Sequence, residues 1–334
     1  DEMRRGGGLV DAASLAAYRA VDRKPVSGTY RGYEVVTMAP PSSGGVHVLQ
    51  MLNILEHFPV AELGAGSADG IHLLAEVARL AYADRSEHLG DPDYYDVPVE
   101  WLISKEYGKE LAATIDMRVA RKSTDVAAGV APHPESPDTT HFSVIDADGN
   151  VVATTTTLNF SFGSAISVTG AGFLLNNEMD DFVSKPGVPN AYGLLGGEAN
   201  AIAAGKRPLS SMTPTIVLAD GQPWFATGSP GGSRIITSVL QMIVNVIDHG
   251  MNLAEAVNAP RMHHQWFPDV LQLESGVSPD TVELLRERGH EVQESRSSMG
   301  SIQAVGIRDG VFRGASDPRR PNAASVAPAA TAAE

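Results

Sequence analysis

Thr139 stands where an uncommon kind of chemistry can begin. The segment before it, Ser123 to Asp138, is polar, loose and spaced by prolines. An alternating run, Thr139-Thr140-His141-Phe142-Ser143-Val144-Ile145, then starts abruptly and turns at Asp148-Gly149-Asn150. If the peptide bond before Thr139 is cut, its hydroxyl lies beside a free α-amino group. That amine, with an ordinary pKa of roughly 7.7–8.0, can take the hydroxyl proton at neutral pH. No distant base is required. Read alone, a Thr-Thr pair opening a hairpin is ordinary strand composition, because β-branched side chains suit a pleated surface.

Other stretches carry potential chemistry of their own. Gly228-Ser229-Pro230-Gly231-Gly232-Ser233-Arg234 joins the end of a strand to the start of a helix. Glycines there let the backbone approach a ligand, and exposed N–H groups suit an anion or a developing oxyanion. The stretch is neither a Walker loop nor a dinucleotide fingerprint. Pro208-Leu209-Ser210-Ser211-Met212 sets two hydroxyls before a strand, where they can hold a carboxylate or cap a turn. Asn176-Asn177-Glu178-Met179-Asp180-Asp181 gathers carboxylates and amides that can receive an ammonium group or form a solvated loop. It lacks the ligand spacing of a calcium loop. His141 and His263-His264 raise the question of a metal. Adjacent histidines point in different directions, and no HExxH occurs, so no metal is expected. No G-x-S-x-G elbow is present either.

The elements that must position these groups are mixed. Asp11 can cap a short helix carrying Leu15 and Tyr18. Thr29 to Thr37 reads as a strand or hairpin, and Pro40-Pro41-Ser42-Ser43-Gly44-Gly45 leads to a helix over Val46 to Phe58. A longer helix runs from about Ser67 to Arg85, and a short one surrounds Lys105 to Ile115. Thr139 to Ile145 and Val151 to Leu158 form a hairpin, and Gly172 to Leu175 reads as a short apolar strand. Thr213 to Leu218 and Pro223 to Thr227 pair across Asp220-Gly221, before an apolar helix from Arg234 to Asp248. Helices at Leu253 to Ala259 and Pro279 to Arg288, a strand near Val270 to Glu274 and a hairpin turning at Asp309-Gly310 complete the pattern. Frequent hairpins imply antiparallel sheets covered by helices, an α+β arrangement.

Composition sets outer bounds. The 334 residues include 43% hydrophobic and 19% charged, as expected of a globular protein. A net charge of −15 argues against nucleic acid as a general partner. The absence of cysteine removes thiol catalysis, disulfides and cysteine zinc sites. Asp1 to Arg5 does not read as a signal peptide, and further chain upstream is expected. Pro321 to Glu334 is Ala/Pro-rich and reads as a disordered tail.

Together these motifs resemble one family, the γ-glutamyltransferases (glutathione hydrolases) of the N-terminal nucleophile hydrolase superfamily. The resemblance rests on Thr139-Thr140-His141-Phe142-Ser143, Leu174 to Phe182, Lys206 to Met212 and Gly228 to Ser233. Pro40 to Gly45 and Tyr82-Ala83-Asp84-Arg85 also match, and the likeness covers residues 5 to 320. It implies a four-layer αββα sandwich with Thr139 at the end of a central strand. It also implies a precursor that cuts itself between Asp138 and Thr139. Residues 1–138 would be the C-terminal part of a large subunit, ending in a polar connector over about 120–138. Residues 139–320 would be the small catalytic subunit, and 321–334 the tail. The N-terminal part of the large subunit, which carries the family's carboxylate-binding arginine, has no counterpart among these residues.

The activity implied is transfer or hydrolysis of glutathione and other γ-glutamyl compounds through a γ-glutamyl-threonine ester. Thr157 would help activate Thr139, and the N–H groups of Gly231 and Gly232 would form the oxyanion hole. Asn159, Glu178 and Asp181 would hold the substrate α-ammonium, and Ser210 and Ser211 its α-carboxylate. Tyr192 matches the lid position. Water, an amino acid or a peptide would accept the acyl group, with no cofactor or metal. The family implies a periplasmic or extracellular location. The rival activities are a β-lactam side-chain acylase of the same fold and a non-maturing binding protein.

Overall fold

A computed structural model of the chain describes residues 1–127, 139–185, 188–295 and 298–327. Its first half holds α1 (Glu2–Gly6), α2 (Ala12–Ala17), β1 (Val26–Tyr30), β2 (Tyr33–Thr37), α3 (Gly44–Leu55) and α4 (Val60–Leu63). Then come α5 (Ala68–His88), α6 (Val99–Leu102) and α7 (Lys105–Ala112). The second half opens with β3 (Thr139–Ile145) and β4 (Val151–Thr157), followed by β5 (Thr215–Ala219) and β6 (Gln222–Gly228). The rest comprises α8 (Arg234–Ile247), α9 (Leu253–Asn258), β7 (Met262–His263), β8 (Leu271–Leu273), α10 (Pro279–Glu287), β9 (Val292–Glu294), β10 (Gln303–Arg308) and β11 (Val311–Ser316).

The main sheet is antiparallel throughout and runs β1-β2-β5-β6-β10-β11. Alternation along its strands assigns two faces. Val35, Val217 and Phe225 are cross-strand neighbours, fully buried in one core with residues of α3 and α8. Three residues after Phe225, Gly228 faces the other way, where a β-carbon would overlap the His141 ring. The β3–β4 hairpin therefore lies on the face opposite the helices, against β5, β6 and β10. Helices, main sheet and hairpin give three successive layers. A smaller sheet, β7-β8-β9, packs with α5 and α10 around a second apolar cluster.

α3 is buried on every side, which its sequence permits because Gly44 and Gly45 open it. A β-carbon on Gly44 would overlap Thr213, and one on Gly45 would overlap the Met38 carbonyl. α5 begins at Ser67, whose hydroxyl accepts from the Gly70 amide at 2.9 Å. The Asp11 cap is also present, accepting from the Ser14 amide at 2.7 Å.

Three expectations need correction. Gly172 to Leu175 makes only an isolated bridge from Leu174 to Ser167, because Gly170 and Gly172 adopt φ of 80° and 75° and bend the chain out of the sheet path. Thr139 does lie at an end of its strand, the first position of β3, but the strand is not central, since among the described residues β3 pairs with β4 alone. The connector is not loose from its start. Ser123–Asp125 forms a 3-10 turn, with the Ser123 amide on Asp269 at 2.8 Å and the Trp266 indole on the Ser123 carbonyl at 3.0 Å. The expected cut at Asp138 lies outside the described residues, as does the end of the tail.

Candidate active site

The Thr139 side chain is buried at the first position of β3. The hairpin register sets it opposite Thr157, the last residue of β4. Directly opposed residues project to the same side of a sheet. Their hydroxyls therefore meet, Oγ1 to Oγ1, at 3.3 Å. Branching at Cβ stiffens both side chains and holds that geometry. The Asn159 amide donates to Thr157 Oγ1 at 2.8 Å, which Asn159 achieves at φ 72°. Asparagine tolerates this left-handed conformation better than most residues. Arg320 Nη1 donates to the Thr139 carbonyl at 3.2 Å. A cavity of about 280 Å³ opens beside the threonine pair, bordered by Leu158, Phe160, Ser161 and Arg320.

The glycine loop lies beyond β6. Gly231 and Gly232 take φ of 138° and 55°, conformations costly for any residue with a β-carbon. Neither amide donates to another described residue. Two such amides at the entrance to α8 form an anion-attracting corner. Neighbours hold the loop from several sides. Ser229 Oγ accepts from the Ser301 amide at 2.9 Å, Ser233 Oγ donates to Gln265 at 2.6 Å, and the Tyr82 hydroxyl donates to the Ser233 carbonyl.

Glu178 and Asp181 share a single 3-10 turn. Burial pushes both carboxyls up, Asp181 well above its ordinary range, where the charge of Glu178 adds to the rise. Asn177 ties the turn to the chain that leaves β4. Its amide donates to Leu158 O at 3.1 Å, and its side chain accepts from Phe160 N at 2.9 Å.

Ser210 and Ser211 are held by the Pro40–Gly45 stretch. The Ser43 amide and hydroxyl both donate to the Ser210 carbonyl, at 2.9 and 2.8 Å. Ser42 Oγ donates to Met212 O at 2.7 Å. Ser211 Oγ accepts from Arg85 at 3.2 Å. Tyr192 is buried, with its ring against Gly232 and its hydroxyl donating to the side chain and carbonyl of Asn159. Gln265 anchors that segment by donating to Tyr192 O at 2.9 Å.

Two groups therefore form. Thr139, Thr157, Asn159, Tyr192 and Gly232 are joined in one contact chain. Glu178, Asp181, Ser210 and Ser211 gather nearby around Arg85, outside the cavity beside Thr139. Reading the sequence missed the supporting roles of Arg85, Gln265 and Arg320. The Tyr82–Arg85 motif was visible, but nothing local connects Arg85 to a serine more than a hundred residues away.

Among the described residues, the three histidines singled out in the sequence have hydrogen-bond partners of their own. His141 bonds Thr155 and Ser143, and burial pulls its pKa down to about 4. His263 bonds Thr237 and Gln265, and His264 bonds Asp269. Burial pulls these two down to about 3 and 4. Among the described residues, His72, Glu76 and His290 do approach within 4.8 Å of one another. The two rings already share a 2.8 Å hydrogen bond, and Glu76 pairs with Arg79 at 3.2 Å.

The helix-backed antiparallel sheet carrying the threonine hairpin is a fold of the N-terminal nucleophile hydrolase type, shared with solved relatives. A cephalosporin acylase from Bacillus halodurans superposes with a TM-score of 0.79 at 27% identity, over 95% of this chain and 55% of that one. The family model for gamma-glutamyltranspeptidase matches residues 1–327, and the chain belongs to that family. The glutathione hydrolase proenzyme of Escherichia coli is 56% identical over 319 residues, covering 95% of this chain and 55% of the relative. A Helicobacter pylori gamma-glutamyltranspeptidase mutant chain matches over its whole length, at 55% identity and a TM-score of 0.53, using 54% of this chain. This chain spans about half the length of the curated relatives it matches.

Proposed function

We propose that this chain carries the catalytic centre of a γ-glutamyl transferase and hydrolase that matures by cutting itself before Thr139. The observation that carries the reading is the buried Thr139 hydroxyl, 3.3 Å from Thr157 at the first position of a strand. In maturation, Thr139 Oγ attacks the carbonyl of residue 138 and the peptide nitrogen leaves as an amine. Water then hydrolyses the resulting ester, which releases the carboxylate of residue 138 and restores the Thr139 hydroxyl beside the amine already freed. The size of the wholly matched H. pylori chain supports this, since a segment from Thr139 to residue 320 is also about half of this one.

In turnover, that amine takes the Thr139 proton as Oγ attacks the γ-carbonyl of the donor. The amides of Gly231 and Gly232 receive the oxyanion. The donor amine leaves protonated, and water, an amino acid or a peptide takes the acyl group from Thr139. Thr157 orients the nucleophile. Asn159, Glu178 and Asp181 receive the α-ammonium, Ser210 and Ser211 the α-carboxylate, and Tyr192 closes over them. Glutathione and other γ-glutamyl compounds are the donors, and the site of action is periplasmic or extracellular. Among the described residues no helix is long and apolar enough to cross a membrane.

The β-lactam side-chain acylase reading draws on the fold shared with the B. halodurans enzyme. The carboxyl pair favours a substrate bearing an ammonium group instead. Turnover of a γ-glutamyl anilide against a glutaryl β-lactam separates the two, in the chain and in a form extended upstream to the length of its relatives. Preference for the glutaryl substrate would reverse the assignment.

Asp181 gives a pH-dependent prediction. Its raised pKa means folding favours the protonated carboxyl. The associated stability is complete below the ordinary carboxylate pKa and is lost as pH rises through the raised value. Asp181→Asn should therefore stabilise the ligand-free protein above that value and change little in acid. The same substitution should raise KM for the anilide by roughly 10- to 100-fold, the scale of a lost charged hydrogen bond. Thermal melts across pH and steady-state kinetics check the two halves. A pH-independent stability difference, or an unchanged KM, counts against the assignment.

A further inference from the structure

Arg85, on the last turn of α5, is 4% exposed, yet no carboxylate of the described residues comes within ion-pair distance of it. Two other deeply buried arginines differ: Arg79 pairs with Glu76 and Asp269, and Arg261 with Asp317. Among the described residues, the hydrogen-bond partners of Arg85 are hydroxyls. Its Nε donates to Ser43 at 2.9 Å and its Nη2 to Ser211 at 3.2 Å. Its Nη1 donates to no described residue but is not sealed from solvent, whereas Arg261 Nε is. Burying a charge without a counter-charge is expensive. A neutral side chain could bridge two serines at lower cost, so the charge asks for an anion that arrives from outside.

We propose that Arg85 is a positioning residue that makes this end of the pocket selective for a carboxylate, acting through Ser211. The proposal rests on the γ-glutamyl reading above. The guanidinium polarises the Ser211 hydroxyl and fixes its acceptor side, so the hydroxyl proton turns toward the incoming anion. Through Ser43, which also donates to the Ser210 carbonyl at 2.8 Å, the same side chain steadies the neighbouring serine. Asp181 lies near enough to feel the Arg85 charge. The pocket thus sets a cation and a carboxyl pair side by side, complementary to a zwitterionic amino acid head group. Ser43 and Ser211 belong to segments far apart in sequence, and Arg85 joins them at one point.

The test is calorimetric binding to the whole chain, with L-glutamate and γ-aminobutyrate as probes. Both carry an amine and a terminal carboxylate, and only glutamate has the α-carboxylate. Arg85→Gln should weaken glutamate binding by roughly 10- to 100-fold, the scale of a lost charge-assisted contact. Binding of γ-aminobutyrate should change by less than about twofold, since its missing group made no such contact. Arg85→Lys should recover part of the loss, because it restores charge without the fork. Ser211→Ala should show the same selective loss and serves if Arg85→Gln does not fold. Equal weakening of both ligands, or no weakening, overturns the role of Arg85. Failure of the unaltered chain to prefer glutamate over γ-aminobutyrate rejects the γ-glutamyl reading and this proposal with it.

Discussion

Replacing Thr139 by alanine should leave the chain uncut and inactive. The substitution removes the only oxygen that reaches both the preceding carbonyl and the donor carbonyl in the proposed mechanism. Loss of a covalent nucleophile that acts with its base as one unit costs on the order of 10⁴- to 10⁶-fold. Thr139→Ser should retain slower cutting, because the hydroxyl survives while the stiff branched side chain does not. Intact mass and N-terminal sequencing check this directly, on the chain and on the upstream-extended form. A new terminus reading Thr-Thr-His-Phe-Ser is expected for the parent and absent for the alanine variant. Normal processing of Thr139→Ala would sink the mechanism.

The second large effect is structural. Asp317→Ala should destabilise the fold by about 3–5 kcal/mol, the usual cost of stranding one partner of a buried ion pair. Asp317 accepts from Arg261 Nη2 at 2.6 Å, with both side chains almost fully buried. It also accepts from the Ile302 amide at 2.8 Å and pairs with Arg319 at 3.1 Å. Arg261 in turn donates to the Met299 carbonyl at 2.8 Å. The following residue, Gly300, packs against Gly231, so the loss should reach the glycine corner. Burial pushes the Asp317 carboxyl up, but the Arg261 charge and hydrogen bond together with the Arg319 amide and charge outweigh it and hold the group below its ordinary range. A depressed pKa stabilises above the unfolded value, and that contribution is lost as pH falls through the folded one. Denaturant titrations at neutral and acidic pH should show the variant's deficit shrinking in acid. A deficit below about 1 kcal/mol at neutral pH would place the pair in the class of weak surface bridges.

Much of the site was legible because its geometry is local. Alternation and the Asp148-Gly149-Asn150 turn establish the β3–β4 hairpin, and its register brings Thr139 to Thr157. The glycines before α8 declare a backbone that no β-carbon allows. Asp11 and Ser67 mark helix starts through bonds to amides three residues on. In each case the partners lie within one turn or one hairpin, so residue type and spacing suffice.

Other features were open until distant segments met. Gly172 to Leu175 has strand composition, yet flanking glycines turn it away and no neighbour pairs with it beyond one bridge. His141, His263 and His264 have the makings of metal ligands, but burial among hydroxyls, amides and a carboxylate keeps them neutral and occupied. The residue types of Glu178 and Asp181 suggested an ammonium receiver, whereas the rise in the Asp181 pKa follows from burial and from the nearby Glu178 charge. Arg85 is the sharpest case. Its motif lies in plain view, but its two serine partners come from other segments, and the absence of a carboxylate within ion-pair distance among the described residues is a property of the folded neighbourhood. Sequence spacing determines contacts across a turn or a strand pair. Burial and charge balance depend on every segment that packs around a group, and only the tertiary structure decides those.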